Sequence, residues 1–224
     1  MKCVVTAGPA YEELDEVRRL TNFSTGALGS GLADYLAGLG HEVELLIGYY
    51  STCPPAANAQ RRQIFTTSAD LRLRLAALAS PEIGAVFHAA AVSDFTFGKI
   101  WELASGELRE INSAKIPTRA ERLLAELKPT PKIIRELRGW FPKAFLAGWK
   151  YELEPQGEGG AAARGAEQMK ENLTDACVLN GRGFYREGFG LLRKDMTLIR
   201  VPDQAALFAA LGDCLGKRAA PLSG

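Results

Sequence analysis

The chain lacks the residue clusters from which a metal centre or a redox pair is usually built. Its only histidines are His41 and His88, its four cysteines are Cys3, Cys53, Cys177 and Cys214, and no C-x-x-C or H-E-x-x-H spacing joins any of them. A metal held directly by the protein is therefore not expected, and the cysteines read as small hydrophobes. No G-x-S-x-G elbow occurs, which removes the usual serine-hydrolase arrangement. Net charge is nearly missing as well: 27 basic residues against 26 acidic ones leave +1, too little for a nucleic-acid binder driven by basic charge. No apolar run reaches the roughly 20 residues a membrane span needs, and MKCVVTAGP enters a strand pattern too soon for a signal peptide. A cytoplasmic protein with neither nucleic-acid nor membrane partners is expected.

What is present is core-forming material, 47% hydrophobic residues, arranged with a regular rhythm. KCVVTA, HEVELLIG at 41–48, RQIFTT, GAVFHAAA at 84–91, AFLAGW at 144–149 and DACVLN at 175–180 read as strands. Helical patterns separate them, from about residue 25, over SADLRLRLAALA, after Pro131 and in the alanine-rich stretch before DACVLN. The alternation predicts an α/β, doubly wound, mostly parallel Rossmann-like sheet whose carboxyl edge holds the ligand. FGLLRKDMTLIRV predicts a β-hairpin turning at Lys194 and Asp195, and DQAALFAALGDCLGK a closing helix. Residues 95–118 break the rhythm and predict a long irregular loop, functional or disordered. A single domain over 1–217 with a frayed tail at 218–224 is expected.

The stretch RRLTNFSTGALGSGLADYLAGLG, residues 18–40, combines five glycines with hydroxyl and amide side chains ahead of a helix marked by Leu28, Leu32, Leu36 and Leu39. Gly26, Gly29 and Gly31 give G-x-x-G-x-G, the wrong order for the dinucleotide fingerprint, and the stretch lies too far from the first strand for a tight turn. A nicotinamide-dependent reductase thus lacks its signature. The helix start at Ser24, Thr25 and Gly26 suits an anion, or Ser24 or Thr25 simply caps the helix.

Several segments in order, VTAG, LDEVRRLTNFSTGALG, HAAAVSDF, AKIPT, KPTPKII, GWKYE and DACVLN, resemble the phosphopantothenate–cysteine ligases of coenzyme A biosynthesis. The likeness is to stand-alone bacterial forms without the flavin-dependent decarboxylase half, so no flavin is expected. The resemblance implies 4'-phosphopantothenate, cysteine and a nucleoside triphosphate as substrates, CTP with magnesium foremost and ATP as the alternative, with a homodimer as the assembly. It implies catalytic roles for Asn22 and Lys115, the latter on a mobile substrate flap. Substrate contacts fall to Arg18, Asn22, Ala90, Ala91 and Asp94. The nucleotide falls to Gly8, Ser24, Thr25, Gly26, Gly29, Asp94, Lys115, Thr130, Pro131, Lys132, Ile133, Trp149, Lys170 and Asn180. Pro9 and Ala10 depart from the family's T-[AS]-G-G-T pattern and remove an N–H and a hydroxyl, which leaves an inactive nucleotide-binding homologue as a further alternative.

Overall fold

The computed structural model describes residues 1–54, 56–117, 119–153, 157–184 and 188–219. β1 (Lys2–Ala7) is followed by a small hairpin of β2 (Tyr11–Glu13) and β3 (Arg19–Thr21), then by α1 (Ala27–Gly38), β4 (Glu42–Gly48), β5 (Arg61–Phe65), α2 (Ser68–Ala77) and β6 (Ile83–His88). Next come β7 (Phe95–Ala104), β8 (Glu107–Glu110), β9 (Leu123–Pro129), α3 (Ile133–Trp140) and β10 (Phe145–Tyr151). α4 (Gly157–Asn172), β11 (Ala176–Asn180), β12 (Phe189–Arg193), β13 (Leu198–Val201) and α5 (Gln204–Ala219) complete the order.

The central sheet runs β13-β12-β11-β10-β6-β1-β4-β5, parallel from β5 to β11 and antiparallel in β12 and β13. Strand order reverses between β1 and β6, the position where an open α/β sheet leaves a crevice at its carboxyl edge. Alternation along β1 builds two apolar layers. Cys3, Val5 and Ala7 face one side with Leu32 and Leu36 of α1 and Leu207 and Leu211 of α5. Val4 faces the other with Leu71 and Leu75 of α2 and Ile133 and Leu137 of α3. Burial on both faces is why these strands read as nearly continuous apolar runs.

Three expectations are corrected. The stretch 95–118 is largely ordered: β7 pairs antiparallel with β8 and with β9 in a separate three-stranded sheet. Its hairpin turns at Ser105 and Gly106, both at positive φ (54° and 83°), the backbone a two-residue primed turn demands. No apolar alternation announces these strands because β8, ELRE, is exposed throughout. The strand at 84–91 ends at His88, since Ala89, Ala90 and Ala91 turn to donate to Thr6 O, Thr6 Oγ1 and Gly8 O. Arg218 and Ala219, expected in the frayed tail, continue α5, while 220–224 lie outside the described residues.

Candidate functional site

The carboxyl edge of the sheet is assembled around the backbone of one residue, Ala91. The Ala91 N–H donates to Gly8 O at 2.9 Å, and the Ala91 carbonyl accepts from the Ala10 N–H and from Asn22 Nδ2, each at 3.0 Å. Thr21 Oγ1 donates to Ala10 O at 3.0 Å. The end of β1, the loop after β6 and the Asn22 loop are thereby locked together. Among the described residues the second amide hydrogen and the side-chain oxygen of Asn22 have no protein partner. Pro9, with no N–H to give, lies alongside Ala91 in an isolated parallel bridge. Ala10 is fully buried in the core layer with Val4 and Leu46, so a hydroxyl at its β-carbon would enter apolar packing.

The helix start is uncapped by Ser24 or Thr25. Gly26 is the N-cap residue, in the left-handed region at φ 81°, with no side-chain cap; Thr25 Oγ1 accepts only a 3.3 Å bond from the Ala27 N–H. Gly8 is likewise left-handed at φ 78°, and Ser51 packs against both glycines with its Oγ buried and unpaired. Free N–H groups at a helix start and an orphaned hydroxyl beside them fit an anionic group. Gly29 sets the spacing of α1 on β1, since a Cβ there would meet Ala7 Cβ at 2.6 Å and Thr6 O at 3.0 Å.

Across β6 lies a cavity of about 600 Å³ whose lining includes His88, Ala90, Asp94, Lys132, Trp149 and Arg164. Its rim is built by two turns tied to each other. Thr130 N–H donates to Asp94 O at 3.0 Å, Thr130 Oγ1 donates to Ser93 O at 2.5 Å, and Lys132 forms an ion pair with Asp94. Pro131 and Ile133 line the same cavity, although Ile133 is 2% exposed and serves mainly the core. Trp149 lines it while packing partly on the α1/α5 layer, and its Nε1 is buried and unpaired. Asn180 sits at the same sheet edge, its carbonyl accepting from the Glu152 N–H at 2.8 Å.

Lys115 and Arg18 meet through the β2–β3 hairpin. Arg18 Nη2 donates to the Ile116 carbonyl and pairs with Asp15, whose carboxylate accepts the Ile116 N–H at 3.0 Å. Burial pushes the Asp15 carboxyl up, but donation from the Ile116, Val17 and Arg18 amides and the Arg18 charge prevail and hold it below its ordinary value. Arg18 therefore holds the Lys115 segment. The Lys115 side chain is exposed and, among the described residues, has no ion-pair partner.

Lys170 is not brought to this edge. The helix between two parallel strands runs antiparallel to them, which carries its last turn to the amino edge. There Lys170 lines a separate cavity with Arg138, Lys143 and Asp175. The cation that α4 does supply to the site is Arg164, bound to Glu152 by bonds of 2.7 and 2.6 Å. Arg164 stands nearer the start of α4, where antiparallel running makes the carboxyl edge accessible. His88 and Gln168 are also lining residues that sequence reasoning did not single out. His88 carried one usable signal, a polar residue closing an otherwise apolar strand. Burial pushes its imidazole down to about 4. Among the described residues no cluster of three or more His, Cys, Asp or Glu side chains could hold a metal, and no helix is long and apolar enough to cross a membrane.

Known proteins share this arrangement. A crystal structure described as the DNA/pantothenate metabolism flavoprotein from Streptococcus pneumoniae is similar with a TM-score of 0.85 and 26% identity, covering 97% of this chain and 99% of that one. A Cab2 mutant in complex with phosphopantothenate-cysteine shares the fold, with a TM-score of 0.71 and 17% identity over 97% of this chain and 85% of its own. The coenzyme A biosynthesis bifunctional protein CoaBC of Thermococcus kodakarensis is 29% identical over 197 residues, 87% of this chain and 45% of that protein. The chain thus spans less than half the length of that curated relative. Residues 1–210 match the DNA/pantothenate metabolism flavoprotein C-terminal domain, and the chain belongs to that family.

Proposed function

We propose that the protein is a phosphopantothenate–cysteine ligase. The observation that carries this reading is the Ala91 backbone, which fastens the Asn22 loop beside a cavity suited to a nucleotide, while the β2–β3 hairpin holds the Lys115 segment. In the first step a carboxylate oxygen of 4'-phosphopantothenate attacks the α-phosphorus of CTP and pyrophosphate leaves. In the second the cysteine amine attacks the acyl carbon, the nucleoside monophosphate departs and the amine nitrogen loses a proton. Lys115 offsets charge gathering at the α-phosphorus. Asn22 donates to the acyl oxygen as it gains charge. Magnesium bound with the triphosphate would supply charge neutralisation for the departing pyrophosphate.

The reading includes cytoplasmic location and a homodimer. Leu123 and Leu127 on one face of the three-stranded sheet, and Leu108 and Leu124 on the other, are 40–59% exposed and give a second protomer apolar side chains on either face. Mixing the protein with magnesium, 4'-phosphopantothenate and either CTP or ATP tests the reaction. Pyrophosphate release that requires phosphopantothenate, followed by a phosphopantothenoylcysteine product on adding cysteine, is expected, with CTP the better donor. No release with either triphosphate refutes the ligase, and a preference for ATP refutes only the choice of nucleotide.

A further inference from the structure

We propose that His88 reads the base of the bound nucleotide, its Nε2–H donating to a carbonyl oxygen or ring nitrogen of the heterocycle. The inference rests on the reading that the cavity holds a nucleotide and adds a specificity-determining residue to it.

The argument begins at Thr6, the β1 partner of His88 across the reversal of strand order. Thr6 is fully buried. Its Oγ1 accepts the Ala90 N–H at 3.1 Å and lies 3.0 Å from His88 Nδ1. A hydroxyl has one hydrogen to give. With Ala90 already donating into the oxygen, and with Nδ1 the other group in reach, that hydrogen goes to Nδ1. Nδ1 is then the acceptor, and the proton of the neutral ring sits on Nε2. The opposite tautomer would leave the Thr6 hydroxyl hydrogen buried with nothing to bind, which is costly.

Nε2 has no protein partner among the described residues, and the 7% of His88 that stays exposed opens on the cavity that it lines. The floor beside it is closely packed and carries no charge. Its other strand partner is Gly148, over which Ile134 Cδ1 and Gln168 Nε2 lie so close that a Cβ would meet them at 2.7 and 2.9 Å. Ala90, Val92 and Ile134 add apolar surface. A flat, uncharged ring with acceptor atoms suits this floor. The charged part of the ligand is served elsewhere in the cavity, by Lys132, Lys150 and Arg164, and burial keeps His88 from joining them as a cation.

Calorimetric titration of the wild type and His88→Leu with CTP, ATP and inorganic tripolyphosphate separates base from phosphate. The expected result is an about tenfold loss of affinity for the preferred nucleotide, the scale of one neutral hydrogen bond, with tripolyphosphate binding unchanged. His88→Gln, which retains a donor, should lose less. Equal loss for tripolyphosphate, or no loss for the nucleotide, overturns the role of His88 while leaving the ligase reading intact. Failure of the wild type to bind either nucleotide overturns both. Because a variant of a buried residue can fold poorly, imidazole nitrogen NMR of the wild type supplies a second measurement. His88 should show the Nε2–H tautomer, and that proton should shift with nucleotide and not with tripolyphosphate; an Nδ1–H tautomer or an unmoved signal refutes the proposal.

Discussion

The Arg18 guanidinium donates to the Ile116 carbonyl at 2.6 Å, joining segments 98 residues apart. Asp15 takes the N–H of the same residue at 3.0 Å and pairs with Arg18 at 2.9 Å. Both polar groups of the Ile116 backbone are thus held by one hairpin loop, and the Ile116 side chain is 2% exposed. The segment is fixed just after Lys115, and the ammonium itself is left to reach a substrate.

Loosening that clamp should expose Lys115 before it unfolds anything else. Arg18→Met removes a charge-assisted bond and should speed tryptic cleavage after Lys115 about tenfold, with the thermal midpoint of the whole protein little changed. Mass spectrometry of the first cleavage product checks the site. Unchanged cleavage there would mean that Asp15 alone suffices.

The two chemical steps should separate by residue. Lys115→Gln should slow pyrophosphate release by about 10²-fold, the usual scale for one electrostatic contact in a transition state. Asn22→Asp should slow transfer to cysteine, because a carboxylate cannot donate to a developing oxyanion. It also replaces the Asn22 Nδ2 bond to Ala91 O with two facing acceptors, so some loss in the first step is expected too. Rapid-quench analysis should find acyl-nucleotide building up in the Asn22 variant and scarce in the Lys115 variant.

Much of this architecture was legible in the sequence, for identifiable reasons. β1, β4, β6, β10 and β11 are buried on both faces, and such strands leave dense apolar runs such as KCVVTA and EVELLIG. The hairpin of β2 and β3 left none: RLT is exposed at every position, and the hairpin is held by contacts to Ala10 just before β2 and to Ile116 far along the chain. Asn22, Asp94 and Lys132 could be singled out because their motifs resemble a family. Arg164 and Lys170 lie on one helix with similar local composition, and only the direction of α4 across the sheet tells which of them serves the carboxyl edge. His88 was hidden because its partners Thr6 and Gly148 come from two other strands.

Two glycines of α1 should respond in opposite ways to alanine. At Gly29 the new methyl would meet Ala7 Cβ at 2.6 Å with backbone of β1 behind it, and overpacking of this kind costs about 1–3 kcal/mol. At Gly38 nothing lies within 4 Å, so alanine should stabilise by up to about 1 kcal/mol through helix propensity. Urea unfolding of the two variants measures both. A neutral Gly29→Ala would show that α1 can lift off β1 without loss.

Acid should weaken the fold through His88. Its imidazole is pushed down to about 4 by burial, against about 6.5 in an unfolded chain. Below pH 6.5 the unfolded state binds a proton that the folded state refuses, so stability rises with pH across this window. The contribution of the neutral ring is complete above pH 6.5. It is lost as pH falls toward 4, by about 3 kcal/mol over the whole interval. Carboxylates titrate in the same range, and a comparison with His88→Gln removes them, since both proteins share every other titrating group. The measurement is the unfolding free energy from urea titrations between pH 4 and pH 7.5. The wild type should lose more stability than His88→Gln by that amount, and most of the difference should develop between pH 6 and pH 4.5. Parallel curves would mean that His88 accepts a proton within the fold, and the ring would then have to find a second acceptor in the cavity beside Asp94.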